Sequence, residues 1–583
     1  MNLLSFCFMN RELSRDVLIL VVSVLVTMAT VTVDSQFSAE GMTALRSKLE
    51  SVAALPGQPS VVSAAGITRS EVPLLTIENV SAYDVTSSKL RLVLVGGLDG
   101  NPDSAHLALD AVSWFKRDAS HRDRERWEVS VLPVANPSAN EMSDATFPPE
   151  EGFFDHPDRP EDRYVWRWVS YQVPDLVVEV VAGTELRVLS SSVGSGTGQL
   201  AALSGGSLSE ALAEVRANGL GSVDTMLITA PVSSGGSVMR EVLQRASGRR
   251  SQLRATITER LKREPLTLAR LLAQRYPTTP GMNYIPALAW VHTLRLGTLT
   301  GDSSFVRKVE REIRPWLNGE QRLFSDPIRL NSVAGTMVFG ELAKLVGESQ
   351  AIASELSVDG VARASAEITP GIPQYGFGWS DDIFLGTIAA TTTADASGLD
   401  AAVRLITNYA RRLQRSDGLF DHSIDAKTAW GRGNGFAALG LAETLSVLPV
   451  NHMGRSSILD IYRRHMHAIR IHQAADGMWQ QVVDEPGSYR ETSATAAIVT
   501  AMARGLRNGW LDTSFRSVVE RGWNALLAHV VDDGTLVDVC ISTGAGSTKR
   551  HYLDRRVVNG ADDRGGAMVL GAALEIYALN QVS

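Results

Sequence analysis

The sequence predicts a multidomain chain, an α/β domain followed by an all-α region of paired helices. Two textures carry that prediction. Before residue 265, short apolar runs ending in glycine or turn residues alternate with helical stretches, as buried parallel strands and their crossovers do. Beyond it the strand signals fade and apolar residues recur at steps of three and four. Composition bounds the rest. The 583 residues are 44% hydrophobic and 21% charged, which excludes a disordered chain and a polytopic membrane protein. Lys and Arg number 56 against 64 Asp and Glu, a net charge of -8, and this balance argues against broad nucleic-acid binding. The two cysteines, Cys7 and Cys540, make neither a disulfide framework nor a zinc knuckle.

The chain opens with Arg11 and Arg15 ahead of an uncharged run, Val17 to Val33. A positive start and an apolar stretch make a secretory signal; the length also approaches the roughly 17–25 residues that span a bilayer. Residues 1–35 are therefore expected to be a signal peptide or membrane anchor, with a buried helix as the third reading. Either of the first two places the body outside the cytoplasm, periplasmic, extracellular or membrane-anchored. Residues 36–74, small and polar with a break at Pro56-Gly57, read as a helix and linker. The α/β domain is expected over 75–264, with strands starting near Leu90, Trp127, Pro174 and Thr225 and a helix over Ala105 to Phe115. Over 265–583, Val333, Met337, Val338, Leu342 and Leu345 share a helical face, as do Val403, Ile406, Ala410 and Leu413. Breaks at Gly301, Gly347, Gly398, Asn451, Gly509 and Gly560 bound segments of roughly 45–60 residues, two helices and a loop each. Such hairpins close into a ring of helices or stack into an open α-solenoid, and periodicity alone does not separate the two.

The loops between these helices are richer in chemistry than a scaffold needs. Trp379-Ser380-Asp381-Asp382 sets two carboxylates at a helix start. One Asp there is explained as an N-cap; a helix needs one cap, and Trp379 offers the apolar wall by which desolvation turns a carboxyl group into a general acid. Asp417 to Ser423, containing His422, precedes Trp430-Gly431-Arg432-Gly433-Asn434-Gly435. Glycine permits close backbone approach, Trp430 offers a stacking face for a sugar and Arg432 a bidentate grip on a carboxylate. Asp476 to Gln481 brings Trp479, Gly487 to Ser493 brings Glu491, and a fourth cluster spans Gly560 to Gly566. In a toroid the same end of every hairpin faces one mouth, so these loops would converge. His422, His472 and His551 lack the spacing of a ligand set, so no metal and no cofactor are expected.

WSDDIF, DGLFDHS, WGRGNGF, DGMWQQVVDEPGSYRETSATA, RGLRNGW and DDRGGAM occur in this order. Together they resemble the unsaturated uronyl hydrolases (glucuronyl and rhamnogalacturonyl) of glycoside hydrolase families 88 and 105, over residues 280–580. The resemblance implies an (α/α)6 barrel, and a reaction in which an acid protonates the vinyl ether double bond of a terminal 4,5-unsaturated uronic acid and water adds at the adjacent ring carbon. The oligosaccharide substrate would be one left by a polysaccharide lyase. By motif position Asp381 matches the acid/base, Trp430 and Arg432 the sugar-binding residues and His422 a pocket residue. Trp379, Asp382, Asn434, Trp479 and Glu491 join the expected substrate-binding set. Where the family carries a further Asp, this chain has Asn331, which hydrogen-bonds a hydroxyl but accepts no proton.

The first domain, through LVLVGGLDGN, VLPVANPSA and PDLVVEV, resembles a zinc carboxypeptidase. Asp99 and Pro102 stand in its His-x-x-Glu slot and no His follows Glu179, so a relative without catalytic zinc is expected. A non-catalytic carbohydrate-binding barrel, or a hydrolase of a saturated uronide, are the alternative functions.

Overall fold

The computed structural model describes residues 39–80, 82–137, 147–149, 160–191, 207–214 and 219–582. The expected leader, with Cys7, lies outside them. No helix among the described residues is long and apolar enough to cross a membrane.

The first part is a seven-stranded mixed sheet in the order β1-β2-β4-β3-β5-β7-β6. Its strands are β1 (Ser60–Ile67), β2 (Pro73–Asn79), β3 (Leu90–Gly96), β4 (Trp127–Leu132), β5 (Leu176–Ala182), β6 (Arg187–Ser191) and β7 (Asp224–Ala230). The four central strands, β4, β3, β5 and β7, are parallel and coincide with the four apolar runs in the sequence. Both sheet faces are covered, which is why these strands read as continuous runs. Along β3 the alternation is direct: Leu92 and Leu94 join one core, Val93 and Val95 the other. The antiparallel strands β1, β2 and β6 were not expected. β1 lies inside the stretch read as a helix and linker, so the sheet begins ahead of residue 75. The helix Ala39–Ala53 precedes it.

The second part is a closed ring, not a solenoid. Outer helices are amphipathic. In Ser303–Leu317 the buried residues are Phe305, Val309, Ile313 and Trp316, one stripe. Asp302 caps it through Ser304 N, 2.9 Å, and Gly301, at φ 70°, ends the helix before it. Inner helices are buried on every side and rich in Gly, Ala, Ser and Thr. They are Tyr284–Thr300, the split pairs Leu330–Gly335/Met337–Leu342 and Asp382–Leu385/Ile388–Thr393, then Gly431–Val447, Thr492–Arg507 and Asp563–Asn580. Each touches the next and the last touches the first. Gly440 allows one such approach: a Cβ there would lie 2.2 Å from the Ile383 carbonyl oxygen. This six-fold pairing is the (α/α)6 barrel expected from the resemblance.

An ionic network unforeseen in the sequence ties inner helices together. Arg295 donates to Glu443 at 2.9 Å, Arg504 meets Glu443 at 2.9 Å and Glu575 at 2.6 Å, and Arg507 reaches Glu575 at 3.0 Å. Burial alone would push Glu443 up; Arg295 and Arg504 outweigh it and hold the carboxyl far below its ordinary range.

The sheet and the barrel share one core. Ala65, Ile67, Leu74, Tyr164 and Trp168 cluster with Trp430, Met478, Val482, Tyr489 and Tyr552. Arg490 of the barrel donates to the Ala64 carbonyl at 2.9 Å, pairs with Asp476 at 3.2 Å and approaches Glu78 of β2 at 3.6 Å.

Candidate active site

The inner helices begin directly after Asn283, Arg329, Asp381, Trp430, Glu491 and Asp562, of which Asn283, Glu491 and Asp562 cap through their side chains. The loops before them are stitched to one another. Ser380 N donates to His422 O at 2.8 Å, Gly431 N to Gln481 O at 2.7 Å, and Glu491 N to Trp479 O at 2.9 Å. The motif loops separated by whole hairpins thus meet at one end of the barrel, as a toroid requires.

Asp381 stands at its helix start yet makes no side-chain cap bond. Its side chain is 11% exposed, and Oδ2 lies 3.3 Å from His422 Nε2, with neither atom otherwise partnered among the described residues. His422 is fully buried, boxed by Trp379 at 5.2 Å, Trp430 at 4.6 Å and Tyr552 at 5.5 Å between ring centroids. Its Nδ1 is 2.7 Å from the Tyr552 hydroxyl, which accepts from Gly546 N at 3.0 Å. Assigned from this network, the Tyr552 O–H donates to Nδ1 and Nε2 carries the ring proton toward Asp381; the opposite tautomer would face a bare nitrogen to a carboxylate. Gly433 makes room for this group, since a Cβ there would lie 2.6 Å from Ser380 Oγ and 3.8 Å from Asp381 Oδ2.

The expected site residues divide by whether their polar atoms are already used. Trp379 is half-buried and stacked on Phe377 at 4.9 Å, and its indole N–H has no partner among the described residues. Asn331, half-buried at an inner-helix start, likewise makes no side-chain hydrogen bond to a described residue. These two, with Asp381, keep free polar atoms.

The others have most of their polar atoms engaged within the fold, although Asp382 Oδ1 and Arg432 Nε are buried without a partner among the described residues. Asp382 is wholly buried, and its Oδ2 accepts from Phe377 N (2.8 Å), Gly378 N (2.8 Å) and Tyr409 Oη (2.7 Å). Burial pushes its carboxyl up to about 7. Asn434 clamps Phe420 N and O and Trp430 O, each at 2.9 Å. Trp479 is a core side chain donating to Ile469 O at 2.8 Å. Glu491 caps its helix at Ser493 N and receives Cys540 N at 2.8 Å. Trp430 is 1% exposed and packs as the floor under His422. Arg432 donates Nη1 to Cys540 O (2.6 Å) and Ser493 Oγ (3.2 Å), and Nη2 to Ile541 O (2.7 Å). Both ends of its fork are committed to protein oxygens, and only Nε, itself buried, is left without a partner among the described residues.

Three side chains in this region were missed. Tyr552 belongs to no motif. Tyr284 follows the Asn283 cap, which was the only signal. Arg564 sits in DDRGGAM, a cluster visible in the sequence in which this side chain was given no role. Among the described residues no group of three or more His, Cys, Asp or Glu is placed to hold a metal ion.

The sequence profile of Glycosyl Hydrolase Family 88 matches residues 379–580. An unsaturated 3S-rhamnoglycuronyl hydrolase of Alteromonas sp. (strain LOR) is 30% identical over 173 residues, 27% of this chain and 42% of that protein. The unsaturated rhamnogalacturonyl hydrolase YesR of Bacillus subtilis (strain 168) is 32% identical over 141 residues, 23% of this chain and 39% of that protein. The chain thus spans less than half the length of these curated relatives. A solved glycoside hydrolase from family 105 of C. acetobutylicum ATCC 824 superposes with a TM-score of 0.47 at 18% identity, covering 54% of this chain and all of that one.

Proposed function

We propose that this protein is a glycosidase that removes a terminal 4,5-unsaturated uronic acid from oligosaccharides released by polysaccharide lyases. The observation that carries the reading is Asp381, an inner-helix residue with an unused carboxylate oxygen held against a buried histidine. The names of the relatives support the substrate class.

In this reading Asp381 gives its proton to C4 of the vinyl ether. The positive charge that develops at C5 and the ring oxygen is captured by water, whose proton returns to Asp381. The product is a hemiketal at C5, which opens and releases the remaining saccharide. One carboxyl group serves as acid and then base, so the separated pair of ordinary glycoside hydrolysis is not required. His422 Nε2–H, held by Tyr552, steadies the carboxylate left after proton transfer. Trp379 supplies the stacking face, and Asn331 a hydrogen bond to a sugar hydroxyl. The uncharged leader behind Arg11 and Arg15 supports an exported protein, and the sheet domain serves as a brace for the barrel loops.

Loss of ultraviolet absorbance from lyase-generated oligosaccharides tests this. Asp381→Asn should lower kcat by about 10²–10⁴-fold, the usual worth of a positioned acid/base, with the melting temperature little changed. Equal turnover in the variant refutes the reading. The absence of a carboxylate at Asn331 favours one second reading, a non-catalytic carbohydrate-binding barrel. Tight binding of the same oligosaccharides with constant absorbance would establish it.

A further inference from the structure

A uronide carries a fixed negative charge, and burying that charge requires a cation with free donors. Arg432, the residue the motif suggests, does not provide them. It is 1% exposed, its guanidinium lies 5.0 Å from the Trp430 ring, and both Nη atoms are bonded to protein oxygens. Arg490 is turned into the seam with the sheet. Arg555 donates to Thr543 Oγ1 and Ser542 O in its own loop.

Arg432 Nε and Arg490 Nη2 are also buried without a partner, but of these four arginines Arg564 alone makes no hydrogen bond to a described residue. It lies in the first turn of the inner helix Asp563–Asn580, with a side chain only 19% exposed. Its Nη1 is buried with no hydrogen-bond partner among the described residues. Its Nη2 has one contact, at 3.6 Å, with Asp562 Oδ2, while Asp562 Oδ1 is spent capping Gly565 N at 2.8 Å. A guanidinium held this way is oriented but unsatisfied. The second observation is Tyr284, half-buried at the start of the first inner helix. Its hydroxyl has no hydrogen-bond partner among the described residues. Tyr284 packs edge-on against Phe436 at 5.6 Å, Phe436 stacks on Phe384 at 5.7 Å, three residues from Asp381, and the helices that begin at Tyr284 and Asp563 are in contact. Arg564 and Asp381 therefore belong to one neighbourhood, joined by Tyr284, although their helices are far apart in sequence.

We propose that Arg564, assisted by the Tyr284 hydroxyl, binds the substrate carboxylate and so presents the C4–C5 double bond to Asp381. This rests on the function proposed above. It assigns the anion specificity of that site to a different arginine from the one in WGRGNGF. Arg564 Nη1 donates one hydrogen bond to the carboxylate and Tyr284 Oη a second. Asp562 stays behind the guanidinium as its counter-ion, fixing its orientation.

The test compares an unsaturated uronide with its methyl ester, which keeps the double bond and loses the charge. In the wild type the free acid should be preferred in kcat/KM. Arg564→Met should lower kcat/KM for the acid by about 10²-fold while changing the ester by no more than about threefold, so the preference collapses. Arg564→Lys should fall between, because it keeps charge without the fork. Tyr284→Phe should cost the acid about tenfold. An unchanged acid-to-ester ratio in Arg564→Met and Arg564→Lys overturns the proposal, as does an equal loss on both substrates. If the wild type turns over neither substrate, the function proposed above fails. The carboxylate assignment is then decided by calorimetric titration with glucuronate and galacturonate. Binding by the wild type that Arg564→Met abolishes supports it. Binding equal in both proteins, or absent from both, overturns it.

Discussion

Replacing Asp382 tests a carboxylate that the fold uses, next to Asp381, to which the proposed chemistry is assigned. Its Oδ2 accepts from two backbone amides at 2.8 Å and from the Tyr409 hydroxyl at 2.7 Å, at a site with no solvent exposure. Alanine leaves three donors without an acceptor. At about 1–3 kcal/mol for each orphaned buried donor, and with two amides close enough to the surface to recruit water, the loss should be about 4 kcal/mol. Asparagine keeps an acceptor oxygen and should cost about 1 kcal/mol or less at acidic pH. The pH dependence sharpens the contrast. Burial pushes the Asp382 carboxyl from its ordinary 3.8 up to about 7. Below about pH 4 folded and unfolded chains both hold the proton. Between about 4 and 7 the folded chain keeps it and the unfolded chain has lost it, so stability falls as pH rises. Above about 7 both are ionised and the penalty is constant. Three pH units correspond to about 4 kcal/mol at most. Urea unfolding at pH 5 and pH 8 should show the wild type losing stability across this interval and Asp382→Asn losing distinctly less. Parallel curves for the two proteins would remove Asp382 as the titrating group, and a fully stable Asp382→Ala would remove the clamp.

Three further outcomes follow from the geometry. Tyr552→Phe removes the donor that fixes His422 Nδ1; kcat should drop about tenfold with KM nearly constant, since one hydrogen bond is worth about 1 kcal/mol. Glu443→Ala removes the carboxylate shared by Arg295 and Arg504, leaving them only Glu341 and Glu575, which should cost about 3 kcal/mol in urea unfolding. Arg432→Lys cannot reproduce three bonds to Ser493 and the 540–541 backbone. It should lower the melting temperature, by about 2 kcal/mol of lost stability, without changing the acid-to-ester preference.

The central strands and outer helices were legible because their burial is written in residue type: a run for β3, a stripe for Ser303–Leu317. β1 was not, because Ser60–Ile67 is built of small residues whose burial depends on the helix Glu161–Tyr171 and the barrel lying over it. Ring closure lies in contacts between helices distant in sequence. In the site, the motif loops were visible but the direction of each side chain was not. Trp479, Glu491 and Arg432 are the residue types a sugar site uses, and each turns inward because a carbonyl, an amide or a helix end nearby needs it. Arg564 shows the reverse. Its sequence context is that of a helix start, and only the spatial neighbour Tyr284 distinguishes it.

Arg490 adjoins Glu491, which caps an inner helix, and it is anchored on the Ala64 backbone of β1. A gene fragment starting at residue 265 would therefore encode a cup with its rim unsupported: the apolar undersides of Met478, Val482 and Tyr489 would meet water, and the guanidinium would lose its carbonyl. Cutting the chain there would therefore cost the barrel loops both their apolar cover and the Arg490 anchor.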